Sequence, residues 1–262
     1  MISRIKAIIL EHLYRLYRSP EEWIDTFFWP VMDVIIWGFT TLYFNRLGGT
    51  SAKVAAFLLS GLILWNIVWR AQQDISISLM ADIWNQNLIN LFASPLSSWE
   101  YIMATIILGF IKIFLTLGVV IAIAFFLYAF NIFILGFYLI PMFIILLLFA
   151  WAMGMFITGL IIRYGSRVQF LAWSLIVLLH PVSCVYYPLS SLPKFLQQIA
   201  VLVPSTYVFE AMREILKGKV PAVEYFIYGF IIVLIWLILT SIFFNAFYEM
   251  SRQKGRLARI EG

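Results

Sequence analysis

Few residues in this chain are equipped for bond-making chemistry, and their spacing argues against it. The two histidines, His12 and His180, lie far apart with no ligand-like spacing, and Cys184 is the only cysteine. One thiol forms neither an intrachain disulfide nor a thiolate metal cluster. No HExxH, GxSxG or paired-carboxylate arrangement occurs, so hydrolytic chemistry has no visible nucleophile or base. A phosphate-cradling loop needs glycine amides followed by Lys and Ser or Thr. The nearest candidate, Lys217-Gly218-Lys219-Val220, lacks that order. The chain has no means of hydrolysing ATP by itself, and no metal or other cofactor is expected in it. The more telling charges are Asp33 and Lys112, each set inside an apolar run. Charge in lipid needs a partner. Each falls about ten residues from the cytosolic end of its run, which at roughly 1.5 Å per residue gives similar depth. An Asp33–Lys112 ion pair is therefore expected; the alternative is that Lys112 snorkels and Asp33 bonds to backbone.

The elements holding these residues are set by composition. Over 262 residues, 63% are hydrophobic, 12% are charged and the mean hydropathy is +0.96. Such a chain is an all-α polytopic membrane protein. Runs of about 18 apolar residues cross a hydrocarbon core as helix, and six are expected: Trp23 to Phe44, Val54 to Arg70, Tyr101 to Tyr128, Phe137 to Ile162, Val168 to Tyr187 and Tyr225 to Tyr248. They form one transmembrane domain over residues 1–262. Their continuity excludes a β-barrel, whose strands alternate in short segments. With both termini inside, eleven Lys or Arg are cytosolic and six external, which favours that orientation. The net charge of +5 then reads as topology and lipid headgroup contact, not nucleic-acid binding.

Three segments stand outside the crossings. In residues 1–20, Ile2, Ile5, Ile9, Leu13 and Leu16 recur every three or four positions while Arg4, Glu11, Arg15 and Arg18 take other faces. That pattern predicts an interfacial helix, or one packed on protein, and no cleaved signal. Residues 71–100 are amphipathic: Ile83, Trp84, Leu88, Leu91 and Phe92 keep helical spacing until Ser94-Pro95 stops it. A short cytosolic helix of this kind suits a groove on another protein, or packs on its own bundle. Residues 188–221 are broken by Pro193 and Pro204 and read as two short helices dipping into the outer leaflet. Leu192-Pro193 would open the first and Ser205-Thr206 would cap the second. The abundant aromatics, 18% of the chain, include Trp23, Trp29, Trp65, Trp69, Trp84, Trp99 and Tyr101 near expected interfaces. Most read as headgroup anchors and a minority as faces that stack on sugar rings.

Asn87-Leu88-Ile89-Asn90-Leu91-Phe92-Ala93-Ser94-Pro95-Leu96-Ser97 resembles the segment between spans two and three of type 2 ABC exporter permeases. Tyr187-Pro188-Leu189-Ser190-Ser191-Leu192-Pro193, Val203-Pro204-Ser205-Thr206-Tyr207 and Glu210-Ala211-Met212-Arg213 resemble that family's signature before the last span, and Trp29-Pro30-Val31-Met32 to Trp37-Gly38 its first span. One departure is that Asn85, Gln86 and Asn87 replace acidic residues often found in the family. The resemblance implies a non-catalytic subunit in the cell membrane, paired with a second copy and with separate ABC ATPase subunits that bind ATP and Mg. It makes Trp84, Asn87, Leu88, Leu91, Phe92, Ser94 and Pro95 the ATPase-coupling residues, and Leu192, Pro193, Pro204 and Glu210 the outer re-entrant motif. Asn66, Trp69, Gln169, Trp173 and Ser183 become candidates for a translocation path, or for helix–helix glue. The implied cargo is amphiphilic, glycan or drug-like. Competing classes are an integral membrane enzyme acting on lipid, which lacks a convergent acid, base or metal set, and an ATP-independent channel or scaffold.

Overall fold

A computed structural model describes residues 2–46, 52–84 and 97–253, and among them every regular element is helical. The α-helices are α1 (Ile2–Arg18), α2 (Pro20–Arg46), α3 (Ala52–Trp84), α4 (Ser98–Tyr128), α5 (Leu139–Tyr164), α6 (Leu171–Leu179), α7 (Lys194–Ala200), α8 (Pro204–Leu216) and α9 (Val223–Gln253). A 3₁₀ stretch, Ile132–Tyr138, leads into α5.

Local chemistry sets the boundaries of α4. Ser97 Oγ accepts the Glu100 N–H at 3.1 Å while Glu100 Oε2 accepts the Ser97 N–H at 2.9 Å. This reciprocal box satisfies donors that the first helical turn leaves bare. At the far end Ala129 turns left-handed (φ 51°), and Asn131 then caps the 3₁₀ stretch by accepting the Phe133 N–H at 2.9 Å.

Among the described residues, four helical segments are long and apolar enough to cross a membrane: Val54–Ser78, Ile102–Tyr128, Ile132–Tyr164 and Val223–Ser251. Two of the six expected spans are not among them. The expected first span, Trp23 to Phe44, lies within α2, a helix of 27 residues whose apolar stretch is interrupted by Asp33. The expected fifth span, Val168 to Tyr187, resolves into an apolar helical segment of only Leu171–Val182. His180-Pro181 explains the shortfall: proline lacks an N–H and crowds the preceding turn, so α6 tightens into a 3₁₀ turn and stops.

Helix α3 is the axis of the bundle. Its candidate span is 67% buried, against 17% for that of α9, whose outer face leaves Ile231, Leu234, Ile238 and Ile242 exposed. Helix α5 packs along both α3 and α9, α4 packs on α3 and α2, and α1 lies on α4. Close α3–α5 contact depends on Gly154, since a Cβ there would come within 2.9 Å of Ile75 Cβ. Helix α1 buries Ile8 and His12 and exposes Leu10, Tyr14 and Tyr17, so its inward stripe docks on protein.

The second span runs on as helix past Arg70 and Asp74, α3 continuing unbroken to Trp84, and so enters the segment 71–100 expected to lie in the cytosol. Residues 71–76 are buried in the bundle.

Candidate functional site

Helices α2, α3 and α6 enclose a cleft of about 550 Å³ lined by Trp29, Asp33, Trp37, Leu62, Trp65, Asn66, Trp69, Gln73, Trp173, Val177, His180 and Tyr186. Periodicity puts the residues there. Trp29, Asp33 and Trp37 recur every four positions on α2, as do Trp65, Trp69 and Gln73 on α3. Side chains four apart share a helix face, so each set forms a ladder about 12 Å long. The walls are tied together by polar bonds: Gln72 Nε2 on α3 donates to the Ala172 carbonyl of α6 at 3.2 Å, and the Tyr128 hydroxyl donates to the Ile35 carbonyl of α2 at 3.1 Å.

The upper end of the cleft is closed by stacked rings. His180 lies on Trp65 at 4.6 Å between centroids and 26° between planes, and Tyr186 lies on Trp37 at 5.1 Å and 21°. His180 and Tyr186 also meet, at 5.5 Å. Trp65 is 4% exposed, and neither its Nε1 nor His180 Nε2 has a hydrogen-bond partner among the described residues. Buried donors of this kind are normally satisfied. The arrangement offers flat aromatic faces, a single carboxylate, two amides and two unspent ring nitrogens.

Above the cleft the turn after α6 is pinned by Arg213 on α8. This arginine is 6% exposed and donates through Nη2 to the carbonyls of Cys184 and Tyr187, the latter at 2.7 Å, and through Nη1 to Glu210 Oε1 at 3.0 Å. Its guanidinium also lies 4.5 Å from the centre of the Phe57 ring on α3. Glu210 Oε1 in turn accepts the Leu189 N–H at 2.7 Å. The turn can sit this low because residue 61 is glycine: a Cβ there would be 3.0 Å from the Val185 carbonyl oxygen.

The outer segment does contain two short helices, α7 starting after Pro193 and α8 starting at Pro204. Ser205 and Thr206 do not cap α8, however. Val203 holds that position, and the two hydroxyls reach across to other carbonyls, Ser205 to Ser183 at 3.3 Å and Thr206 to Ala200 at 2.7 Å. Proline at the first helical position has already removed one donor that a cap would satisfy. Trp236 Nε1 on α9 donates to the Leu202 carbonyl at 2.9 Å, which fastens the tip of the hairpin.

Of the five expected path residues, Asn66, Trp69 and Trp173 line the cleft. Ser183 is buried in the turn after α6, donating to the His180 carbonyl, and Gln169 lies in the turn before α6, both outside the lining. Trp65, expected at the headgroups, is instead buried in the cleft wall. The Asp33–Lys112 pair does not form. Lys112 Nζ lies 3.7 Å from Asp74 Oδ1, which also holds Arg70 Nη2 at 2.6 Å, while Asp33 faces the cleft. Depth along the membrane does not fix azimuth, and residue 74 presents its carboxylate from the central helix. Sequence reasoning also missed Trp29, Trp37, His180 and Tyr186 as lining. The four-residue recurrence around Asp33 was the signal for the first two. Arg213, expected as an external charge and as part of the Glu210-Ala211-Met212-Arg213 signature but with no role of its own, is the anchor of the turn after α6; the Glu210-x-x-Arg213 spacing marked it. Of the expected coupling residues, Trp84 ends α3, and Asn87, Leu88, Leu91, Phe92, Ser94 and Pro95 lie outside the described residues.

The family model described as ABC-2 type transporter matches residues 4–217 of the chain, and no curated protein matches it.

Proposed function

The chain belongs to the ABC-2 type transporter family, and from that premise we propose that it is the permease subunit of an ATP-driven exporter. The observation that carries this reading is a polar, aromatic cleft set directly against a helix that runs without a break to Trp84. In this reading α2 and α6 complete a six-element membrane domain, with both termini in the cytosol and α1 along the membrane surface.

Two copies face each other, and cargo passes between them along Asn66, Trp69 and Trp173, with Gln169 and Ser183 behind. Separate ABC ATPase subunits bind ATP and Mg and engage residues 85–95 through Asn87, Leu88, Leu91, Phe92, Ser94 and Pro95. When they close, the displacement enters the base of α3 at Trp84 and travels along a stiff, buried rod to the cleft wall. The α7–α8 hairpin, with Leu192, Pro193, Pro204 and Glu210, shuts the outer exit. The cargo is amphiphilic, glycan or drug-like.

The test is reconstitution with the cognate ATPase. The permease should raise ATP hydrolysis, and charged residues at Leu88, Leu91 and Phe92 should return it to the basal rate while the protein still inserts. Unchanged stimulation in that triple variant would remove residues 85–95 from the coupling path.

A further inference from the structure

Among the described residues, the cleft has one acidic side chain on its lining and no lysine or arginine. Asp33 makes no ion pair or hydrogen bond among the described residues, although Arg70 and Lys112 both find Asp74 nearby on α3. Asp33 is open to the cleft and not enclosed by the bundle, and in the exporter reading an unpaired carboxylate at membrane depth marks the binding of a counter-charge. Its neighbours on the same helix face are Trp29 and Trp37, one turn away on either side, with Trp69 opposite on α3. Indole faces are the strongest cation acceptors among side chains. A neutral sugar has less to grip: the lining offers five indoles and a carboxylate against two amides, and Asn66 already spends one Nδ2 hydrogen on the Leu62 carbonyl at 3.0 Å. The second, independent sign is Trp65, over nine-tenths buried in the wall of the same cleft, whose Nε1–H has no hydrogen-bond partner among the described residues.

We propose that this cleft captures an organic cation, an ammonium or phosphonium centre on an aromatic or otherwise apolar body. Asp33 selects the charge, the faces of Trp29, Trp37 and Trp69 hold the body, and the Trp65 N–H takes an acceptor atom where the ligand has one. The proposal deepens the exporter reading by naming its cargo, and rests on that reading for the transport steps after capture. Capture itself is a property of the chain alone.

The experiment uses the purified full chain in lipid nanodiscs, with tritiated tetraphenylphosphonium as probe and triphenylphosphine oxide, a neutral molecule with the same phenyl groups, as competitor. Wild type should bind the cation saturably and should not release it to triphenylphosphine oxide or to the neutral oligosaccharide maltoheptaose. Asp33→Asn should weaken binding about tenfold, the scale of one desolvated cation contact, while Asp33→Glu stays close to wild type. Trp69→Leu should weaken it as well. Absence of saturable binding overturns the proposal, and would fit a cleft filled by the second copy. Displacement by maltoheptaose overturns it in favour of a glycan, and displacement by triphenylphosphine oxide shows that the site does not read charge. Should Asp33→Asn fail to fold, judged by its melting curve, the two competitors on wild-type protein still decide. Loss of charge selection with ATPase stimulation intact would sink only this proposal, whereas intact selection without stimulation would sink the exporter reading.

Discussion

At the scale of single residues, two buried charges are held in ways that predict opposite responses to mutation and to acid. Arg213 serves four acceptors at once, and removing it strands Glu210 and three carbonyls. Arg213→Ala should therefore cost about 3–5 kcal/mol, the range for breaking one half of a buried pair. The double variant Glu210→Gln with Arg213→Met should cost less than Arg213→Ala, because it leaves no bare charge; unfolding in detergent by chemical denaturant measures both. Glu100 is the acid-sensitive case. The Ser97 N–H holds its carboxyl below the ordinary value of 4.5, and Arg4 on α1, 3.6 Å away, adds to the effect. A carboxylate stabilised in the fold contributes above its unfolded pKa and ceases to contribute as pH falls through the lower, folded value. The α1–α4 contact should thus hold above pH 4.5 and weaken below it. Glu100→Gln should flatten that acid limb in melting curves taken from roughly pH 3 to 6. An equally steep limb in the variant would assign acid sensitivity elsewhere.

At the scale of elements, α3 is the member on which the others converge, and its continuity is the property to perturb. Ile77→Pro would remove a backbone N–H in mid-helix, about one turn past the Arg70–Asp74 pair, at a cost of about 3 kcal/mol or more. If α3 transmits displacement as a rod, this variant inserts in the membrane yet loses most of its ATPase stimulation; a variant that still couples fully would show that rigidity below residue 76 is dispensable. How much of this was legible depends on the kind of information each signal encodes. Long apolar runs gave α3, α4, α5 and α9, because length and hydropathy are properties of one helix. The shortness of α6 was written in His180-Pro181 but hidden by the apolar residues around it. The cleft was half legible: Asn66, Trp69 and Trp173 were identifiable as polar or aromatic residues inside spans. Their partners His180 and Tyr186 reach it only because the chain turns back after Pro181, a tertiary event without a local period. The Asp33–Lys112 pairing failed for the same reason, since two helices of equal depth need not face each other.

At the scale of the whole molecule, a set of bonds converges on the one short turn after α6. Arg213 grips it from α8, Gly61 lets it settle on α3, and Thr206 and Trp236 fasten the α7–α8 hairpin beside it. Within that set lies Cys184, fully buried, with its backbone in the left-handed region at φ 57°. It is the chain's only sulfhydryl, and in the export reading proposed above it is a silent reporter under the lid of the exit. A small maleimide should leave the resting protein unlabelled and should react only when the lid lifts, so its rate of attachment during ATP turnover times each opening with no engineered tag. Attachment at the same rate with and without turnover would mean that the lid breathes on its own.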